Sequence, residues 1–150
     1  MGMFDALNVS ATGLTAERLR MDVTAENLAN AQTTRGADGQ PYRRKEVVLS
    51  EVSGGGFGSQ LAKAIGAGSA SGSQPGGVEV AGITQDQTPG KLVYDPGHPD
   101  ADAKGYVRMP NVDTVAEMVD LISASRAYEA NVTAMNSAKQ MFSKTLDILR

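Results

Sequence analysis

DTVAEMVDLISASRAYEANVTAMNSAKQMFSKTLDILR, residues 113–150, carries apolar or near-apolar positions at alternating gaps of three and four. The series runs Met118, Leu121, Ser125, Tyr128, Val132, Met135, Lys139, Phe142, Leu146, Leu149. A 3-4 repeat of that length is the seam of a long helix that packs on other helices. No Gly or Pro interrupts it, so a helix of about 55 Å is expected at ~1.5 Å per residue. Asp113 or Asn111 can cap it, and Asp113 with Glu117 places negative charge where the helix dipole favours it. A second stripe of mostly small residues (Ala124, Ala127, Ala134, Ala138, Met141, Ile148) lies one position earlier and admits close approach by another helix.

The same spacing recurs at the other terminus, through Phe4, Leu7, Ala11, Leu14, Arg18, Met21, Ala25 and Leu28. Residues 3 to about 30 therefore read as a second helix, about 40 Å long at ~1.5 Å per residue. Gly13 is its one weak point, and Arg18 either reaches solvent from the edge of the stripe or fixes register against a carboxylate on a partner helix. The helix runs into Asn27, Leu28, Ala29, Asn30, Ala31, Gln32, Thr33 and Thr34, whose polar side chains compete for backbone hydrogen bonds and favour termination. Gly36, Gly39 and Pro41 mark a turn.

Between the two helices the chain changes character. Residues 42–52, 78–84 and 91–94 read as short strands, expected to form one small antiparallel unit. From Ser53 to Gly77, nine of 25 residues are Gly and five are Ser, the composition of a flexible linker; Leu61, Ala62, Ala64 and Ile65 could make one short helical turn on docking. The expected organisation is a terminal helix over 1–34, a β and loop region over 35–110 and a second terminal helix over 111–150. The fold class is mainly α with a small β unit, the two long helices pairing as a coiled-coil-like core.

Composition narrows the function. With three Phe, four Tyr and no Trp, the isolated chain lacks the bulk of an ordinary core, and part of its buried area is expected to come from neighbouring subunits. Net charge is −3, spread as −1 over residues 1–35, −2 over 36–113 and 0 over 114–150. No basic stripe meets a phosphate backbone, so nucleic acid is not an expected partner. The run Arg43, Arg44, Lys45 reads as a solvated stretch. Without cysteine there are no disulfides, thiolate metal sites or thiol nucleophiles. Neither a cleavable signal peptide nor an apolar window of membrane-spanning length is visible.

Catalytic chemistry finds no foothold. Asp95, His98, Asp100 and Asp102 superficially resemble a metal loop, but two prolines stiffen it and no second His exists to complete a common zinc set. Glu17, Asp22 and Glu26, like Glu117 and Asp120, read as solvated helix flanks rather than paired acids of a cleft. No Gly-x-Ser-x-Gly elbow, dinucleotide turn or phosphate loop occurs. No enzyme activity and no cofactor are expected.

Glu26-Asn27-Leu28-Ala29-Asn30-Ala31-Gln32-Thr33 resembles the N-terminal signature of the bacterial flagellar axial proteins, the rod, hook and filament family. More specific matches to its rod members follow at Tyr94-Asp95-Pro96-Gly97-His98-Pro99-Asp100-Ala101, Gly105-Tyr106-Val107, Pro110-Asn111-Val112 and Ala124-Ser125-Arg126-Ala127-Tyr128-Glu129-Ala130-Asn131. The resemblance covers residues 1–52 and 78–150. Leu28 and Gln32 are mild departures from the usual motif. The resemblance implies a structural subunit of the proximal rod, exported through the flagellar type III apparatus without signal cleavage and placed in the periplasm. Its implied partners are other rod subunits, the inner-membrane ring and export-gate adaptor proteins, and the distal rod, in a helical hetero-oligomer that transmits torque and conducts exported subunits. The expected assembly interface is Phe4, Leu7, Leu14, Met21, Asn27, Leu28, Asn30, Met118, Leu121, Tyr128, Val132, Met135, Phe142, Leu146 and Leu149. The alternatives are another axial subunit or a self-contained helical hairpin that presents its β unit to a partner.

Overall fold

The computed structural model describes residues 3–36, 38–52 and 76–148. The first helix, α1, spans Met3–Ala29, and the second, α2, spans Thr114–Ile148. Both coincide with the helices expected from the 3-4 spacing. At the end of α1, Asn30 closes the last turn twice over: its backbone N–H and its side-chain Nδ2 both donate to the Glu26 carbonyl, at 3.1 and 2.9 Å. Asp113 starts α2 by accepting the Val115 N–H at 3.0 Å, while its carbonyl takes the Glu117 N–H at 2.9 Å. Asn111, the other candidate cap, is used elsewhere: its Oδ1 accepts the Arg44 N–H at 2.8 Å.

The two helices lie antiparallel. Asn27 bonds Glu117 at one end of the pair, and Gly13 faces Asn131 further along, so positions fall on α1 as they rise on α2. A Cβ on Gly13 would sit 3.0 Å from the Asn131 Nδ2, tight enough that the Asn131 side chain would have to shift.

Four strands are seen among the described residues, in two separate ladders. Strand β1 (Lys45–Glu51) pairs antiparallel with β2 (Val78–Gln85), from Lys45 opposite Gln85 to Glu51 opposite Val78. Register shifts between Val48 and Leu49, where Val48 faces Gly82 and Leu49 faces Val80. Strand β3 (Leu92–Tyr94) pairs instead with β4 (Tyr106–Arg108). This corrects the expectation of one sheet built from 42–52, 78–84 and 91–94. The Lys91 carbonyl accepts the Met109 N–H at 2.8 Å, so the chain after Pro89-Gly90 finds its partner downstream. Three residues of β4 are too few to announce a strand by alternation. The hairpin closes through Gly105, at φ +79°, which brings Tyr94 and Tyr106 edge to face with ring centroids 5.3 Å apart.

The β1–β2 ladder runs along α1 and is attached at both ends. Asn27 holds Lys45, and fifteen residues earlier the Thr12 hydroxyl accepts the Val78 N–H at 3.2 Å. Fifteen helical residues rise about 22 Å, close to the length of a seven-residue strand at ~3.3 Å per residue. The linker and the short helical turn expected within 53–75 lie outside the described residues. No helix among the described residues is long and apolar enough to cross a membrane.

Candidate assembly interface

Small side chains make the contact between α1 and α2. Ala16, Val23, Ala124 and Ala138 are buried, and Gly13 faces Asn131. The large apolar residues of the two 3-4 stripes flank this contact rather than fill it. Leu7, Leu14, Met21 and Leu28 on α1 are half-buried, as are Leu121, Tyr128, Val132 and Met135 on α2. Met118 and Leu146 are each 51% exposed, and Phe142 is exposed too. Val115, Val119 and Ile122 add to the uncovered apolar surface at the start of α2. From Lys139 to Asp147 every residue is exposed. The Phe4 side chain and Leu149 lie outside the described residues. Within one chain, then, Ala124 and Ala138 of the small stripe are buried, most of the bulky stripe is half-buried, and exposed apolar residues concentrate at the two ends of α2.

Of the expected interface residues, Asn27 has the most defined surroundings. It is 1% exposed, and all four hydrogen-bonding capacities of its amide are used. Nδ2 donates to the Lys45 carbonyl at 2.8 Å and to Glu117 Oε2 at 3.0 Å. Oδ1 accepts the Lys45 N–H and the Tyr42 hydroxyl, each at 2.9 Å. Toward Lys45 the amide therefore acts as one extra rung of a β ladder. Asn30 is half-buried and accepts the Thr33 hydroxyl at 3.2 Å, shaping the turn after α1.

Glu117, expected on a solvated flank, is 1% exposed. Its Oε1 accepts from Arg44 Nε at 2.5 Å, and Arg44 Nη2 reaches Asp120 Oδ2 at 3.3 Å. Arg20 lies 3.8 Å from Asp120 and 3.6 Å from Glu17. Lys45 pairs with Glu26. The run Arg43, Arg44, Lys45 is thus no free basic stretch: its central member closes the joint between α1, the start of β1 and α2. The Glu117 hydrogen bond holds the Arg44 guanidinium above its usual range, against the opposing effect of burial. Loss of solvent, followed by the charges of Glu26 and Glu117, pushes the Tyr42 hydroxyl up to about 12. One signal of this joint was present in the sequence. Glu117 stands seven residues before Ala124, and Asn131 and Ala138 follow at the same interval, so it falls on the face turned toward α1.

The acids of residues 95–102 serve the loop itself. Asp95 Oδ1 accepts the Gly97 N–H at 3.1 Å, Asp100 Oδ2 accepts the Thr34 hydroxyl at 2.8 Å, and His98 Nδ1 accepts the Asp100 N–H at 3.1 Å. Arg35 lies 3.7 Å from Asp100, which docks the loop on the turn after α1. Among the described residues no three His, Asp or Glu side chains converge as a metal site would require.

Comparison with known proteins agrees with this architecture. Residues 7–37 match the family model described as flagella basal body rod protein, and residues 103–148 match that of the flagellar basal body rod FlgEFG protein C-terminal region. The chain is 53% identical to the flagellar basal-body rod protein FlgC of Bacillus subtilis, over 99% of both chains. It is 48% identical to the FlgC of Borreliella burgdorferi, over 100% of this chain and 99% of that one. With FlgC of Escherichia coli it shares 46% identity, over 99% of this chain and 98% of the relative. A helix-paired chain with exposed apolar residues along α2, matching these proteins from end to end, belongs to the FlgC family of flagellar basal-body rod proteins.

Proposed function

We propose that this chain is a structural subunit of the flagellar basal-body rod, and that it enters the rod through its terminal helices. The observation that carries the second half is the exposed apolar surface of α2. Ala16, Val23, Ala124 and Ala138 are buried inside one chain, while Met118, Val119, Ile122, Met141 and Leu146 remain at least half exposed and are available to neighbours. A head-to-tail contact that does not close generates a helical tube, in which each subunit buries apolar surface it cannot bury alone. In this reading residues 1–34 and 111–150 are the axial parts, and 35–110 faces away from the tube axis. The neighbours are other rod subunits, with the inner-membrane ring and export-gate adaptor proteins on one side and the distal rod on the other. The tube sits in the periplasm, transmits torque and passes later export substrates, and the chain reaches it without losing its first residues.

Far-UV circular dichroism at low concentration, alone and with candidate rod partners, tests this reading. Helicity that rises on mixing supports assembly-coupled helix pairing. A fully helical dilute chain with a sharp melting transition would replace it with a self-contained helical hairpin.

A further inference from the structure

The packed face of the helical pair offers little shape by which to choose an alignment. Asn27 with Glu117 and Gly13 with Asn131 mark the observed one, the numbers of each pair summing to 144, and Arg20 lies 3.8 Å from Asp120 beside them. A slide of α2 by seven residues to a sum of 151 sets Gly13 against Ala138 and Asn27 against Ala124. The opposite slide, to 137, sets Gly13 against Ala124 and Arg20 against Glu117. In both, a small residue meets the glycine and the seam can still close. Apolar packing therefore separates the three alignments only weakly.

Polar atoms separate them sharply. In the observed alignment the buried Glu117 carboxylate receives both the Asn27 amide and the Arg44 guanidinium. Arg44 is held beside α1 by its neighbour Lys45, whose N–H and carbonyl both bond the Asn27 amide, and by its own carbonyl, which accepts the Asp86 N–H at 2.8 Å. A slide to 151 carries Glu117 away from both donors and faces the Asn27 amide with a methyl group. A slide to 137 offers Glu117 the Arg20 guanidinium but sets Asn27 opposite position 110, before α2 begins, and takes the carboxylate away from both Asn27 and Arg44. The first alignment strands a desolvated polar group, and the second forfeits both of these bonds.

We propose that Asn27, Arg44 and Glu117 are the register key of the helical pair: positioning residues that select one axial alignment of α2 on α1. The key thereby sets the height of the exposed apolar residues of α2 relative to the half-buried apolar stripe of α1. A single polar position fixing helix alignment at some cost in stability is an established physical device.

The chain has no cysteine, so Asp22→Cys and Gln140→Cys, both at exposed positions, create a unique pair for spin labels. Asp22 is level with position 122, and Gln140 lies eighteen residues further, about 27 Å along the axis. Pulsed electron double resonance on the full chain is recorded in trimethylamine N-oxide, at a concentration that brings helicity to a plateau. The parent should give one distance. The variant N27L/R44M/E117L should show a second distance displaced by about 10 Å, one heptad of rise. A single unchanged distance in that variant overturns the proposal. A polarity swap provides an independent measurement. Asn27→Asp sets two carboxylates against each other and should abolish swimming in a complementation strain; adding Glu117→Gln restores a donor and should restore swimming. A double variant no better than the single overturns the proposal as well. The distance measurement does not depend on the rod reading, so a failure of one is distinguishable from a failure of the other.

Discussion

Leu146→Asp separates assembly from folding. In the free chain Leu146 is 51% exposed, two residues before the end of α2 at Ile148. An aspartate there loses some helix propensity, up to ~0.7 kcal/mol. It also sits at the negative end of the helix dipole, for about 0.3–1 kcal/mol. The unassembled chain should therefore lose about 1 kcal/mol. In the assembled rod the arithmetic differs. Covering the exposed half of a leucine contributes about 1 kcal/mol, taken from ~1.5–3 for the whole side chain. An unpaired carboxylate enclosed in its place costs at least about 3 kcal/mol more. Together these weaken each contact by about 4 kcal/mol, on the order of 1,000-fold in association. Purified variant and parent are compared by circular dichroism, and cells carrying each are scored for swimming and for the subunit in isolated basal bodies. Near-parental dichroism with no swimming and no incorporation is the expected result. Normal motility with the variant present in basal bodies would refute the assignment of Leu146 to an interface.

Three further outcomes follow from the same geometry, each read with the chain brought to its helicity plateau in trimethylamine N-oxide. Ala124→Leu puts a large side chain at a fully buried position and should cost about 1–3 kcal/mol or prevent helix pairing, read as a lower denaturant midpoint. Asp113→Ala removes the oxygen that accepts the Val115 N–H and should cost about 1 kcal/mol, read as a lower melting temperature and early fraying of α2. For Tyr42 the folded hydroxyl titrates near 12 and the unfolded one near 10. Between those values the unfolded chain holds fewer protons, so stability falls as pH rises from 10 to 12 and is untouched below. Tyr42→Phe should flatten that window in denaturant titrations, and an unchanged slope would show that Tyr42 is not shielded as described.

Both long helices could be read from the sequence because 27 and 35 residues give a periodic pattern many turns in which to repeat. The caps were narrowed to Asp113 or Asn111, and only the structure divides their roles. The short strands were harder. Residues 45–51 and 78–85 show β-branched runs, whereas Tyr106–Arg108 has no room for alternation, so the partner of Leu92–Tyr94 was misassigned. The largest omission concerned Glu117 and Arg44. Charged residues on a helix or in a basic run are usually solvated, and their burial here depends on a contact across 73 positions of chain. Periodicity sees faces of one element; it does not see which loop returns to meet them.

The saturation of the Asn27 amide also bears on chemical ageing. Deamidation begins when the following backbone nitrogen attacks the side-chain carbonyl carbon, which requires an amide free to rotate toward it. Here the amide is anchored on Lys45, Tyr42 and Glu117 and lies inside a helix. Its conversion to a carboxylate would set like charges about 3.0 Å apart against Glu117. The bonds that align the helices thus also slow the one spontaneous reaction that would turn this contact into a repulsion.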